Sequence, residues 1–578
     1  MTGIAGLILV AILFSGEMDM DRKEISIDIW DWTEPCQDIE IFEVWVKDFK
    51  SIGGNLIEIS VPWRVMEPNP GEIDTSWLEA RLEVCKKYDM PMRLRINSYY
   101  AGAKPDWYDS ELWKNFEGEV VHQGQPSIVS ENFWNHFGPV CTAIAEVTKG
   151  WPVYHNAFIG IHAELKFADW WSYDDAAMAL WHEAIHQSPR PDWLLAVVDQ
   201  DTPLSEYPEV PADTQGLPDL NPESRAWIAF REYCWHLANA RFAEAIYKAN
   251  PDALISAPLG EGYRRQSAHM SNQDYWGLSR QADQVVHSWD FFWHGKDPSW
   301  HAAAAVASFR GITKLPSEFE FDQMQNLARL GYSDAQLMAI GRDAALAGAG
   351  LKMANLAYIK EVTPSKIRIV NDLIALWQSD LPVAPRQPAW DEENTVLLFL
   401  SKWANYLYRE PTEWLHHAQF GVYKMLRDMD VPVRIICEDN LEEDLSGYRA
   451  LVLAFSPREL MPDSVSARID ALGLPLIEDM PFVPELKGRR AQEHHVEDYA
   501  RFNLLHADCP VAPLDLRTMK AEGEYTAVLQ DGDGKPFGLM KPGHVVFGFP
   551  IGYLYLHGDT PNEPKGMMAW ALSGIDIP

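Results

Sequence analysis

Between residues 24 and 360 the chain alternates, with short connections, between apolar runs of strand length and runs of helical periodicity. That alternation constrains the fold more than any other feature. Strands and helices joined this way give parallel strands with right-handed crossovers. EISIDIW (24–30) reads as a first strand, IEIFEVWVKDFKSIGG as a helix stopped by glycine, and NLIEIS as a second strand. WLEARLEVCKKYDM is the next helix and PMRLRIN (91–97) the third strand. The segment 100–150 is a long aromatic excursion over the sheet's end. A fourth strand is predicted at 157–163 and a helix at 174–187, followed by a Pro- and Asp-rich loop over 188–222. RAWIAFREYCWHLANARFAEAIYKAN is a long helix. ALISAPLG, 284–292, GITKLPSEFE and 349–359 supply the fifth to eighth strands. Eight such units are the count that closes a (β/α)8 barrel.

A chain of 578 residues is too long for one core. The Pro-rich stretch LPVAPRQPAWDEE (381–393) marks a boundary, so the barrel is assigned to 24–380, the stretch to a linker, and 394–578 to a second unit. There TVLLFL, a helix near 413–428, PVRIIC, RALVLAF, a helix near 462–472 and LPLIED alternate again, as in an open α/β sheet. VVFGFPIGYLYL and the helix MMAWAL close it. Residues 1–23 stand outside the fold. Their apolar run IAGLILVAILF has signal-peptide length, is too short to span a bilayer and follows no basic residue. An export signal and a misassigned start both fit; the missing basic residues favour the cytoplasm over export.

The formal net charge of −35 repels phosphate backbones and anionic lipid, which argues against nucleic-acid and membrane partners. The six cysteines (36, 85, 141, 234, 437, 509) form no CxxC, so neither a zinc nor a redox motif is present. Scattered buried thiols suit a chain of this size better than disulfides. The 24 Trp are either aromatic core or flat platforms for sugar rings.

Two glutamates close apolar runs at the predicted C-terminal ends of strands 4 and 7, where barrel enzymes carry their chemistry. Glu164 ends AFIGIHAEL and shares a strand face with Gly160 and His162. Glu318 closes the apolar part of GITKLPSEFE, and Glu320 lies on the same face two residues on. Paired carboxylates on one face can cleave a glycosidic bond, and a retaining pair stands about 5–5.5 Å apart. Glu164 is the candidate general acid/base. Glu318, nearer the rigid part of the strand, is preferred to Glu320 as nucleophile. Trp63, Asn97, Tyr99, His162, Trp289 and Glu320 are the candidate substrate-binding residues. Arg93, Arg95 and Asn97 alternate along strand 3, and a buried Arg95 calls for a partner such as Glu58. HEAIH (182–186) matches the HExxH zinc signature, but Pro189 breaks its helix within a turn and no third ligand is evident, Glu206 and Glu209 being available. That helix fits the outside of the barrel, so no metal or other cofactor is expected. The second sheet has no nucleophile elbow, and Cys437 has no glycine-rich turn around it.

NLIEISVPWRVMEPNPGEIDTSWLE, NPESRAWIAFREYCWHLANARFAEAIYKANPDALISAPLG and QVVHSWDFFW resemble the strand-2, long-helix/strand-5 and strand-6 regions of family 42 glycoside hydrolases, the β-galactosidase-type barrels of clan A. The segment after 390 resembles that family's amidotransferase-like domain, which lacks amidotransferase chemistry and helps form trimers. The resemblance implies a retaining, exo-acting β-glycosidase with Glu164 as acid/base and Glu318 as nucleophile. It also implies a glycoside or oligosaccharide substrate and a homo-oligomer, trimer or dimer. Three features depart from the pattern. Ala163 stands where clan A enzymes carry Asn, Glu58 replaces an expected Arg, and SEF (317–319) looks equally like family 35. A catalytically silent carbohydrate-binding barrel is the alternative reading, and a zinc peptidase built on HEAIH is the third.

Overall fold

The computed structural model describes residues 24–29, 34–99, 102–120, 124–158, 173–209, 221–259, 277, 279–289, 299–321, 333–353, 364–379, 388–407, 414–479, 525–530, 536–548, 550–557 and 562–575. Eight parallel strands close into a barrel in chain order: β1 Ile25–Ile29, β2 Leu56–Pro62, β3 Met92–Asn97, β4 Val153–Phe158, β5 Leu254–Leu259, β6 Gln284–Trp289, β7 Ser317–Phe321 and β8 Gly350–Met353. β8 returns to β1 through the register Leu351 to Ile25, which completes the closure. The helices that cover it include α1 Ile39–Ser51, α2 Ser76–Lys87, α3 Glu131–Val147, α4 Asp175–His186, α5 Pro222–Ala249, α6 Ser299–Thr313, α7 Asp334–Leu346 and α8 Pro364–Gln378.

Local signals set these boundaries. Asp38 caps α1 by accepting from the Glu40 and Ile41 amides, Ser130 caps α3, and Ser333 with Gln336 makes a capping box on α7. Outward-facing strand residues, such as Ile57, Ile59, Leu94, Ile96, Phe319 and Leu351, are fully buried under the helices.

The strands differ from their expected bounds at two places. β4 begins at Val153, ahead of the predicted 157–163, because Tyr154, His155 and Asn156 extend the ladder to β3 despite their polarity. In GITKLPSEFE, Gly311–Thr313 belong to α6. Lys314 then adopts φ +59°, and the strand starts only after Pro316. The segment 100–150, read as an excursion, includes the helix α3.

A second, seven-stranded sheet has the order β10-β9-β11-β12-β15-β14-β13. It comprises β9 Val396–Phe399, β10 Val433–Ile436, β11 Ala450–Leu453, β12 Leu476–Asp479, β13 Thr526–Gln530, β14 Pro536–Lys541 and β15 His544–Phe547. β10, β9, β11, β12 and β15 run parallel, and β14 runs antiparallel to its two neighbours, β15 and β13. Helices α9 Trp414–Arg427, α10 Asp463–Ala471, α11 Ile551–His557 and α12 Asn562–Ile575 accompany it. The run VVFGFPIGYLYL is split: Pro550 precedes a helix whose first amide, that of Ile551, donates to the Asp479 carboxylate. Cys36, Cys85, Cys141, Cys234 and Cys437 are buried, and none is joined in a disulfide among the described residues.

The second sheet is joined to the barrel along α6. Arg434 Nε donates to the Gly311 carbonyl at 3.2 Å and Asn440 Nδ2 to the Ile312 carbonyl at 2.9 Å. Tyr423 Oη donates to the Ala303 carbonyl at 3.2 Å, and Lys314 pairs with Glu443 at 3.0 Å. Two of these contacts satisfy carbonyls of the last helical turn, which have no intrahelical partner. A Cβ on Gly311 would lie 2.1 Å from the Ile435 carbonyl oxygen, so the absence of a side chain permits the approach. Elsewhere in a helix, Gly→Ala stabilises by about 0.5–1 kcal/mol. Here the clash is with backbone, and Gly311→Ala is expected to destabilise by about 1–3 kcal/mol. A melting temperature equal to or above wild type would show that the contact is not tight.

Candidate active site

The barrel interior is charged. Bulky branched residues normally fill such a barrel. Here Glu24, Asp28, Glu58, Arg93, Arg95, Glu318, Glu320 and Lys352 all lie in it at 8% exposure or less. They sort into two layers along the strands.

The lower layer is at the N-terminal end. Arg93 Nη1 donates to Glu318 Oε2 at 2.7 Å and to Glu58 Oε2 at 3.1 Å, and its Nη2 donates to Gln284 Oε1 at 2.8 Å. Ser26 Oγ donates to Glu318 Oε2 at 3.2 Å, and Tyr154 Oη to Glu24 Oε1 at 3.2 Å. Gln284 also donates to Glu24. The upper layer is built around Arg95 and Lys352. Arg95 contacts Glu58 and donates to Asp28 Oδ2 at 3.2 Å. Lys352 Nζ lies 3.1 Å from Glu58 Oε1 and 2.9 Å from Glu320 Oε2. The expected Glu58–Arg95 pair is thus present, and Glu58 links both layers.

Five carboxylates face three cations, so full ionisation would leave uncompensated buried charge. Burial pushes Glu318 up to about 7 despite Arg93, with the neighbouring Glu24 adding to the rise. Burial likewise raises Asp28 to about 6 against the pull of Lys352 and Arg95. Burial would raise Glu58 too, but Arg95, Lys352 and Arg93 together hold it well below the usual carboxylate range.

This layering separates the two glutamates of β7. Glu318 is the strand's second residue, pairs in register with the first residue of β8, and is fully buried beside Glu24. It belongs to the N-terminal end, away from the face where barrel chemistry occurs. Glu320 stands one layer nearer that face and is 4% exposed. Glu320 is thus the β7 carboxylate nearer that face, and Glu318 lies one layer below it. The apolar flanks that made Glu318 look rigid are outward-facing residues, and its own side chain is part of the barrel's floor.

The other candidates separate as follows. Trp63 is enclosed: its indole is 0% exposed, donates to Glu67 Oε2 at 2.7 Å, and packs against Trp107, Tyr108, Phe133 and Phe137. Asn97 ends β3 in the row of Arg93 and Arg95; its Oδ1 accepts from the Tyr99 amide at 3.2 Å, and both residues are buried at the C-terminal end. Trp289 is the last residue of β6, in register with Phe321. His162 and Glu164 lie outside the described residues, as do the segments following β5, β6, β7 and β8. Asn156 Oδ1 on β4 and Ser256 Oγ on β5 are buried with no hydrogen-bond partner among the described residues. Each is a polar group in want of a partner.

Sequence reading missed Glu24, Asp28, Tyr154, Gln284 and Lys352. Their signal was a polar side chain within an apolar strand, as in ISIDI and GLKM. His182 and His186 lie on the outer, exposed side of α4, with Glu183 exposed between them, as anticipated for a helix outside the barrel. Cys437 is a buried thiol whose Sγ lies near Asp439 and Asn440.

No family model matches this sequence, and no curated protein matches it significantly. Solved structures do match. A β-galactosidase from the psychrophilic Marinomonas ef1 aligns over 94% of this chain and 91% of its own, with TM-score 0.59 and 13% identity. An exo-β-1,4-mannosidase from Opitutaceae bacterium strain TAV5 aligns over 97% and 99%, with TM-score 0.54 and 14% identity. A family 42 β-galactosidase aligns over 79% and 72%, with TM-score 0.57 and 12% identity. The fold, an eight-stranded parallel barrel, is shared with these glycoside hydrolases. The alignment with the first two spans nearly the whole chain, second sheet included.

The buried network predicts a pH signature. Glu318 has a folded pKa above its unfolded value, so its contribution to stability is full below about 4.5 and is lost as pH rises through about 7. Glu318→Gln keeps the neutral shape and removes the proton. The variant should gain on wild type as pH climbs from 5 to about 8, by denaturant unfolding at each pH. A pH-independent difference between the two proteins would rule out this titration.

Proposed function

We propose that the chain is a retaining β-glycosidase in which Glu164 is the acid/base and Glu320, rather than Glu318, is the nucleophile. The observation that carries this reading is the position of Glu320. It is an inward carboxylate on the seventh strand of a clan A-type barrel, in the layer nearer the C-terminal face, with Lys352 at 2.9 Å fixing one oxygen. A nucleophile must be held rigidly, and side chains on barrel strands are held better than side chains on loops. Glu164 follows β4 in sequence, and the resemblance to family 42 assigns it the proton-transfer role. In the first step the Glu320 carboxylate attacks the anomeric carbon while Glu164 protonates the departing oxygen. In the second, Glu164 takes a proton from water, which displaces Glu320 and regenerates the free enzyme.

Asn97, Tyr99, His162 and Trp289 are assigned to substrate contact, and Asn156 and Ser256 join them because Asn156 Oδ1 and Ser256 Oγ are buried without a hydrogen-bond partner among the described residues. The second sheet is assigned to support and assembly rather than catalysis. A silent carbohydrate-binding barrel is the competing reading, favoured by Ala163 where an Asn is usual.

A panel of nitrophenyl β-galactoside, glucoside, mannoside, fucoside and glucosaminide separates the two. Turnover of at least one is expected. Glu320→Ala should abolish it. Glu318→Gln should keep most of it, with its main effect on stability. Glu164→Ala should slow deglycosylation by about 100- to 10,000-fold, and azide should restore turnover with retained configuration, because azide needs no general base. A dead Glu318→Gln beside an active Glu320→Ala would return the nucleophile to Glu318. No turnover on any substrate, with sugar binding retained, would establish the silent barrel.

A further inference from the structure

Two exposed aromatic rings stand on the mouth side of the barrel, outside the reaction proposed above. α5 leads into β5, so its C-terminal end lies at the floor and its N-terminal end on the mouth side. α3 runs beside it in the same direction. Arg241 Nη1 donates to the Val129 carbonyl just ahead of α3 at 3.4 Å, and Thr142 Oγ1 donates to the Ala245 carbonyl further down at 3.0 Å. Trp227 stands about four turns, roughly 20 Å, beyond Arg241 toward the start of α5. There the Tyr173 ring packs on Trp227 at 5.2 Å between centroids, and it backs Phe116 at 5.3 Å and Tyr207 at 5.0 Å. Phe116 lies between β3 and α3, Tyr173 precedes α4 and Tyr207 follows it. Phe116 is 36% exposed and Tyr207 42%, while Tyr173 beneath them is 3% exposed.

The exposed pair is fixed from behind. Tyr207 Oη donates to the Phe116 carbonyl at 2.8 Å, and Tyr173 Oη donates to the Pro208 carbonyl at 2.9 Å. The Tyr173 amide donates to the Lys114 carbonyl at 2.9 Å. Phe116 sits in a tight turn closed by the Asn115 amide to the Glu119 carbonyl at 2.9 Å and the Glu119 amide to Asn115 Oδ1 at 2.8 Å. Exposed carboxylates flank the rings, Glu117 beside Phe116 and Glu209 two residues after Tyr207. Burial, and then the Glu117 charge, raise the Tyr207 phenol above its ordinary value, which places Glu117 close to that ring. Lys114 Nζ is tied to both Asp175 oxygens at 3.2 Å.

We propose that Phe116 and Tyr207 form a distal platform for a neutral β-linked oligosaccharide; the assignment rests on the β-glycosidase reading above. An enzyme that acts on a chain end holds that end inside the barrel, so the remainder leaves through the mouth and over this rim. Roughly 20 Å beyond the start of α3 is too far for the sugar being cleaved, so the platform acts on chain length and not on the terminal sugar. Pyranose rings offer C–H faces that pack on aromatic carbon, and hydroxyls at their edges that donate to carboxylates. The acidic flanks repel anionic chains. Because the rings are already held, little ordering cost attends binding. A protein partner fits less well: a stable interface takes about 800 Å² from each side, and the large exposed hydrophobics here are Phe116, Tyr207 and Val120. With Tyr173 buried, the rings make an open shelf and not the cage that recognises a quaternary ammonium.

The test runs the full-length protein through native gels cast with soluble galactoglucomannan, hydroxyethyl cellulose or β-1,4-galactan, and compares kcat/KM on the matching disaccharide and hexasaccharide. At least one gel should retard wild type. Phe116→Ala and Tyr207→Ala should each weaken that retardation about five- to tenfold, as loss of an aromatic anchor does. Phe116→Leu keeps apolar bulk over Tyr173, so it should fold, but it lacks the flat face and should bind as poorly as the alanine variant. Tyr207→Phe keeps the ring and should bind as wild type. Both alanine variants should lose about five- to tenfold in kcat/KM on the hexasaccharide, through KM, and nothing on the disaccharide. Retardation that Phe116→Leu abolishes, with no glycoside turned over by wild type, would keep the platform and remove the glycosidase reading. Turnover with no retardation of wild type, or with retardation and hexasaccharide kinetics unchanged in Phe116→Leu and Tyr207→Ala, would overturn the platform and leave that reading standing.

Discussion

The barrel is held from within by ion pairs, and Glu58 is the residue on which they converge. Its two oxygens meet Arg93, Arg95 and Lys352, from strands on both sides of β2. Removing one partner of such a set leaves a buried charge uncompensated, which costs about 3–5 kcal/mol. Swapping the whole set for hydrophobic residues can be neutral or stabilising. The network is therefore poor evidence for extra stability. What it supplies is a fixed geometry, because each carboxylate is positioned by a cation that is itself held by another carboxylate.

That geometry reaches the candidate catalytic group in a few steps. Glu320 is placed by Lys352, Lys352 by Glu58, and Glu58 by two arginines on β3. Asn97 continues the β3 row toward the C-terminal face. A site assembled on strands in this way is more exact than one carried on loops. Burial raises Glu318 in the floor and Asp28 in the layer above it, so each holds a proton more readily than an exposed carboxylate does.

Architecture was largely legible in the sequence because eight strand–helix units repeat and several helices carry cap signals, such as Asp38, Ser130 and Ser333. The second open sheet was legible for the same reason. What escaped was depth along a strand. Alternation tells which residues face inward, so Glu318 and Glu320 were rightly placed on one face. It does not tell which layer each occupies, because that depends on where α6 ends and β7 begins. Lys314 with its positive φ and Pro316 set that boundary, and GITKLPSEFE reads as one continuous run without them. Trp63 escaped for a related reason. A tryptophan beyond a strand end looks like a sugar platform until the aromatic side chains of the following loop and α3 close over it.

The second sheet bears on the same boundary. α6 runs directly into β7, and its last turn is gripped by Arg434, Asn440 and Glu443 from beyond the barrel. Arg434 is in turn pinned, its Nη2 donating to Glu443 at 2.8 Å and its Nη1 to Tyr448 Oη at 3.0 Å. A helix end fixed in this manner cannot slide by a residue without breaking two carbonyl contacts and opening the Gly311 approach. Sliding by one residue would reverse every β7 side chain between core and interior. The register that brings Glu320 to Lys352 is thus held from two sides, by ion pairs inside the barrel and by a backbone grip outside it. The second sheet thus has a physical reason to accompany the barrel.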